Sequence, residues 1–113
     1  MAEPDVAASG TRIRLCGRDD LASGQARRFD VGGFRIALVR IGDDFYALGD
    51  RCSHEDFSLA EGEVWPEECE LECAKHGSTF DLRTGEPCSL PATRPVPVFE
   101  VEVAGDDVVV VAP

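Results

Sequence analysis

A chain of 113 residues, 43% of them hydrophobic, is the size of one compact domain built around a single core. Its formal net charge of −11 repels phosphate backbones and anionic lipid surfaces, which are bound through Lys and Arg, so partners of that kind are excluded. No segment approaches the roughly 20 consecutive apolar residues that a membrane-spanning helix needs.

The opening M-A-E-P-D-V-A-A-S-G has neither the basic start nor the apolar run of a secretory signal. Residues 1–10 are therefore expected to be a flexible tail ahead of a single cytoplasmic domain, 11–113. T-R-I-R-L-C alternates polar and apolar positions as a half-buried strand does, and R-D-D-L-A-S-G reads as a turn or short helical loop. Q-A-R-R-F-D-V and F-R-I-A-L-V-R-I flank Gly32-Gly33, a pair that supplies the positive φ angles of a tight hairpin turn. A turn at Gly42-Asp43-Asp44 leads into F-Y-A-L-G, and the chain closes with V-P-V-F-E-V-E-V and V-V-V-V around a G-D-D turn. No segment sustains a helical period. Short strands separated by turn signals predict an all-β antiparallel sandwich or small barrel. Residues 50–92, rich in Cys, His, Pro and acids, read as a loop-rich subdomain inserted into a base of 11–49 and 93–113.

Five cysteines in a chain without a leader argue against a disulfide framework, since the cytosol keeps thiols reduced and the number is odd. Cys16, Cys69 and Cys88 show no ligand spacing among themselves and read as small buried hydrophobes, Cys69 as a strand thiol. The other two belong to Cys-His pairs, Cys52/His54 and Cys73/His76, and those are the only histidines. A non-haem iron oxygenase centre or a His-dependent hydrolytic triad would need histidines of its own, so neither can coexist with a Cys2His2 site. Three readings of the four residues remain at this point: unrelated surface His and buried Cys, a structural zinc site, or a [2Fe–2S] cluster with two Cys on one iron and two His on the other.

The neighbouring residues carry a resemblance. Cys52-Ser-His54 and Cys73-Ala-Lys-His76-Gly77 are similar to the C-x-H and C-x-x-H-G halves of the Rieske signature. F-Y-A-L-G-D-R, Leu59-Ala60-Glu61-Gly62, Phe80-Asp81, Gly85, Pro91-Ala92 and the closing P-V-P-V-F-E-V-E-V extend the likeness over about residues 11–112. The chain thus resembles Rieske-type [2Fe–2S] ferredoxins. The resemblance implies a Rieske-type base with a cluster-binding subdomain, one [2Fe–2S] cluster, Cys52 and Cys73 on the buried iron, and His54 and His76 on the outer iron near solvent. It places Ser78, Phe80 and Pro91 around the cluster, with Pro87 to Pro91 as the covering proline loop. Phe57 and Lys75 stand where high-potential relatives have disulfide-forming cysteines, and Phe80 stands where they have a tyrosine that donates to a ligand sulfur.

Eight acids, Glu55, Asp56, Glu61, Glu63, Glu67, Glu68, Glu70 and Glu72, lie between His54 and Cys73 with no base among them, whereas arginines crowd the first third. Carboxylates near a cluster and a missing sulfur donor both disfavour an added electron, so a low potential is expected. Neither a G-x-G-x-x-G nor a P-loop is present. The expected function is a monomeric one-electron carrier, not itself an enzyme, that docks cationic patches of a reductase and of a terminal acceptor. The leading acceptor is an oxygenase. A cluster-assembly protein, a nitrite reductase small subunit and a zinc module are the alternatives.

Overall fold

The computed structural model describes residues 11–51, 58–74, 77–88 and 94–112. Strands β1 (Thr11–Gly17), β2 (Gln25–Val31), β3 (Phe34–Ile41) and β4 (Asp44–Gly49) come first in the chain. Then follow β5 (Val64–Trp65), β6 (Glu70–Glu72), β7 (Thr79–Asp81), β8 (Val98–Ala104) and β9 (Asp107–Ala112). Six of them form one antiparallel sheet in the order β1-β9-β8-β4-β3-β2, and β5-β6-β7 form a second. Short 3-10 turns occupy Arg18–Asp20 and Leu59–Glu61.

The β2–β3 hairpin closes through Gly32 and Gly33, both at positive φ (+56° and +83°), and pairs Val31 with Phe34 across a two-residue turn. Positive φ at both central positions matches the twist of the flanking strands and is open to glycine at little cost. The β8–β9 hairpin pairs Ala104 with Asp107 across Gly105 and Asp106.

The run Ile36-Ala37-Leu38-Val39 is buried at every position, so β3 shows no alternation. The cause is two cores, one on each face of the large sheet. Ile36 and Leu38 pack with Cys16, Leu21, Ala47, Phe99, Val108 and Val110, which is the interior made by curling the sheet on itself. Ala37 and Val39 pack on the other face with Leu48, Leu59, Leu71, Cys73, Phe80, Leu82 and Val96. The inserted region therefore sits on the outer face of β3 and β4 and shares their core. A strand covered on both faces reads as a continuous apolar run, because neither set of alternate positions meets water.

The expectation of a loop-rich insertion needs one refinement, since the region has its own sheet, β5-β6-β7. Strands of two or three residues carry too little period to be read from sequence. Two thiol assignments are corrected. Cys69 is not in a strand: it lies in the turn between β5 and β6 at φ +59°, its N–H donating to the Pro66 carbonyl and its own carbonyl accepting from Leu82. Of the three supposedly buried thiols only Cys16 is buried; Cys69 is half-buried and Cys88 exposed.

Candidate metal centre

Cys73 follows directly on β6 and is fully buried in the outer core. Its position is dictated by β6 pairing with β7, which sets Glu72 opposite Thr79 and leaves residues 73–78 as a short connecting loop. The backbone closes that loop. The Cys73 N–H donates to the Ser78 carbonyl at 2.6 Å, and the Gly77 N–H donates to the Cys73 carbonyl at 2.9 Å. Ser78 and Phe80 are also fully buried, so the structure brings Cys73, Ser78 and Phe80 to one place. Lys75 and His76, within the loop, lie outside the described residues.

The other half of the signature begins after β4. Cys52, His54, Glu55, Asp56 and Phe57 lie outside the described residues, but both ends of their segment are defined: Arg51 and Ser58 form an antiparallel bridge. A residue that the sequence reading missed stands at this closure. Asp50 is fully buried. One carboxylate oxygen, Oδ1, accepts from the Ala60 N–H at 2.7 Å, and Oδ2 accepts from the Ser58 hydroxyl at 2.5 Å. Arg28 reaches Asp50 Oδ2 from β2, with Nε at 3.6 Å. The register explains the reach, since Arg28 pairs with Ala37 and so faces the same side of the sheet as the outer core. The signal available in the sequence was a lone Asp two positions before a Cys-x-His, which composition cannot distinguish from a surface acid.

Pro87 bridges to Phe80, and the Cys88 N–H donates to the Thr79 carbonyl at 2.7 Å. The segment that opens the expected proline loop is thus pinned along β7; Pro91 and Ala92 lie outside the described residues. Two glycines of the resemblance have steric reasons. A Cβ on Gly62 would sit 1.5 Å from the Glu72 carbonyl oxygen, and one on Gly85 would sit 2.1 Å from that of Val96.

The acids of the insertion are less uniform than their sequence suggests. Glu61, Glu63, Glu67 and Glu68 are exposed, while Glu70 and Glu72 are half-buried on β6. Glu72 Oε1 accepts from the indole N–H of Trp65 at 2.8 Å. Arg28, hydrogen-bonded to Asp30, titrates above its usual value; after that bond and Asp30's charge, Asp50 and Glu61 also raise it. An arginine of the first third therefore reaches the acidic insertion. Elsewhere Arg12, Arg14 and Arg18 pair with Glu102, Asp107 and Asp43, which damps the charge asymmetry expected from sequence. Arg83 beside Asp81 holds that carboxyl below its ordinary range. The Tyr46 hydroxyl titrates above its usual value, chiefly through its bond with Cys69 and next through burial.

The donors suit an iron–sulfur cluster. Thiolate is the ligand form of cysteine, and placing it at a fully buried position needs compensating positive charge, which cluster iron provides. Cys73 offers a sulfur at such a position, fully buried in an apolar core. An open cleft of about 800 Å³ runs between the start of β2 and residues 60–64 as far as Ala74. It is polar and wide-mouthed, unlike the enclosed apolar pockets that hold small substrates. No described helix is long and apolar enough to cross a membrane.

Residues 11–100 match the family profile described as "Rieske [2Fe-2S] domain". The chain is 39% identical over 102 residues to the "3-phenylpropionate/cinnamic acid dioxygenase ferredoxin subunit" of Shigella boydii serotype 4 (strain Sb227), across 90% of this chain and 94% of that one. Its structure is similar to the "Ferredoxin of carbazole 1,9a-dioxygenase from Nocardioides aromaticivorans IC177", with TM-score 0.89, 38% identity, and coverage of 92% of this chain and 100% of that chain. It is also similar to a chain of the "Complex of reduced oxygenase and oxidized ferredoxin in carbazole 1,9a-dioxygenase", with TM-score 0.81, 40% identity, and coverage of 88% and 92%.

Proposed function

The chain belongs to the Rieske [2Fe–2S] family and is an electron carrier, and from that premise we propose that it passes single electrons from a reductase to an oxygenase in the cytoplasm. The relatives support the oxygenase over the other acceptors, being named as ferredoxins of dioxygenase systems, one of them in complex with its oxygenase.

Cys52 and Cys73 are the thiolate ligands in this reading and His54 and His76 the imidazole ligands. When bound, the cluster takes up and releases one electron. The protein's own residues do the rest. The 73–78 backbone closure holds the Cys73 thiol inside the core, away from water, while His76 stands three residues along the same loop. Phe80 and the apolar wall behind Cys73 exclude solvent from the Cys73 sulfur, which shields a bound cluster on that side and leaves electron exchange to another. The exposed carboxylates Glu61, Glu63, Glu67 and Glu68 steer cationic partners, which speeds encounter at low ionic strength.

The single observation that supports this reading most is the fully buried Cys73 at the base of a closed loop in a chain whose relatives are ferredoxins. Absorption and EPR spectroscopy of the dithionite-reduced protein test it. A Rieske signal that is lost in Cys73→Ser and His76→Ala is expected; a colourless, EPR-silent, zinc-containing sample overturns it. The carrier is also expected to have a low potential. A midpoint above about +100 mV, well inside the Rieske range of about −150 to +300 mV, removes that part.

A further inference from the structure

We propose that Asp50, seconded by Ser58 and Arg28, is the positioning residue for the first cluster loop, fixing the two ends of the segment that carries Cys52 and His54. The inference rests on the reading of those two residues as ligands.

The argument begins with the cost of the arrangement. A carboxylate with no exposed surface is expensive to bury unless its lone pairs are met by donors. Asp50 meets them with three groups from two other segments: the Ala60 N–H at 2.7 Å, the Ser58 hydroxyl at 2.5 Å and, at 3.6 Å, the Arg28 guanidinium from β2. Its backbone is committed as well, the N–H donating to the Arg35 carbonyl at 2.9 Å and the carbonyl accepting from Leu59 at 3.4 Å. One residue thus ties the end of β4 to β2, to β3 and to the start of the turn Leu59–Glu61.

What these ties have in common is the segment they bracket. Asp50 lies directly before Arg51, and two of its side-chain donors, Ser58 and Ala60, lie at and just beyond Ser58, the residue that bridges Arg51. The ladder between β4 and its neighbours ends at Gly49, and beyond it the backbone ties the loop ends through the isolated Arg51–Ser58 bridge and the long Leu59 bond to the Asp50 carbonyl. The Asp50 side chain adds two shorter bonds across the same ends, to Ser58 and Ala60. Ligands are held to their geometry by the bonds around them, and loosening those bonds lowers metal affinity.

The experiment compares full-length, cluster-loaded Asp50→Asn, Asp50→Ala, Ser58→Ala and Arg28→Gln proteins with Asp30→Asn, which removes only the other partner of Arg28. Two quantities are read: the rate of cluster release to an iron chelator, and the EPR g-values at full occupancy. Asp50→Ala is expected to release about tenfold faster, the lower end of what lost support around metal ligands costs. Ser58→Ala and Arg28→Gln are expected to release less fast, with Asp30→Asn at the wild-type rate. Asp50→Asn keeps the Oδ1 acceptor and is expected to fall between the alanine variant and wild type, with shifted g-values. Loaded Asp50→Asn and Ser58→Ala proteins with wild-type g-values and release rates overturn the proposal, and they decide it even if Asp50→Ala does not fold. A Cys52→Ala protein that keeps the Rieske signal would instead overturn the ligand reading, independently of the Asp50 series.

Discussion

The two loops of the Rieske signature are closed in different ways. The 73–78 loop joins two paired strands and is tied by its own backbone, Cys73 to Ser78 and Gly77 to Cys73. The first loop leaves the large sheet at the end of β4. Its backbone ties, the Arg51–Ser58 bridge and a long Leu59 bond to the Asp50 carbonyl, are reinforced by a side chain, the buried Asp50 reaching Ser58 and Ala60. Backbone closure tolerates many sequences, because every non-proline residue carries the needed groups. Side-chain closure depends on one residue type at one position. Substitutions should therefore disturb the first loop through specific side chains, and the second through packing.

The largest effect is expected where the two meet. Gly62 ends the turn that follows the first loop and lies against the carbonyl of Glu72, the residue before Cys73. A methyl group there collides with backbone, which cannot give way as a flexible side chain can. Gly62→Ala should cost about 3 kcal/mol, the upper end of ordinary overpacking, read as a lowered urea midpoint. An unchanged midpoint would mean that the two loops are not packed as closely as described.

Next is Phe80→Tyr, which probes the packed second loop. Phe80 is fully buried in the core that contains Cys73. A new hydroxyl there should lower stability by about 1–3 kcal/mol unless it finds an acceptor; donated to a ligand sulfur, it should raise the midpoint potential. Protein-film voltammetry and thermal unfolding measure the two together. A potential equal to wild type would show that the ring edge does not face the sulfur.

The acids beyond the loops should matter less, and only to encounter. Glu67→Gln with Glu68→Gln removes two exposed charges from the β5–β6 turn and should flatten the salt dependence of electron transfer to a cationic acceptor such as ferricytochrome c, with unchanged spectra. A salt slope equal to wild type takes the turn out of the docking surface.

The smallest effect concerns the end of β7, where Arg83 depresses the Asp81 carboxyl through a hydrogen bond. A depressed carboxylate contributes stability above its unfolded value, 3.8 in reference form, and that contribution is lost as pH falls through the lower folded value. Arg83→Gln should move the Asp81 titration, followed by carboxyl NMR, back toward the ordinary range. Its stability deficit should be present above about pH 5 and shrink in stronger acid. An unshifted Asp81 would assign the depression to the backbone bonds instead.

The β2–β3 hairpin was legible from Gly32-Gly33 and its flanking runs, and the β8–β9 hairpin from G-D-D, because a turn's demands on φ are met or refused by the residues inside it. The second half-motif was equally local: Cys73, Gly77, Ser78 and Phe80 are close in sequence and lie together in the fold. Asp50 was not legible, since its partners Arg28, Ser58 and Ala60 come from two other segments, brought together only when β2 pairs with β3 and the insertion folds back. The exposure of Cys88 and the turn position of Cys69 were missed for the same reason: burial is a property of what else arrives nearby.

What the sequence determined by itself was the class of the protein: all-β strands from period and turn chemistry, and a Rieske carrier from two short motifs whose residue types and spacing are local and specific. What only the tertiary structure decided was how the site is supported. The outer face of β3 and β4 became the floor of the inserted region, and a buried carboxylate came to link the end of β4 to Ser58 and Ala60. Packing and long-range hydrogen bonds join residues distant in the chain, and no local pattern records which of them will meet.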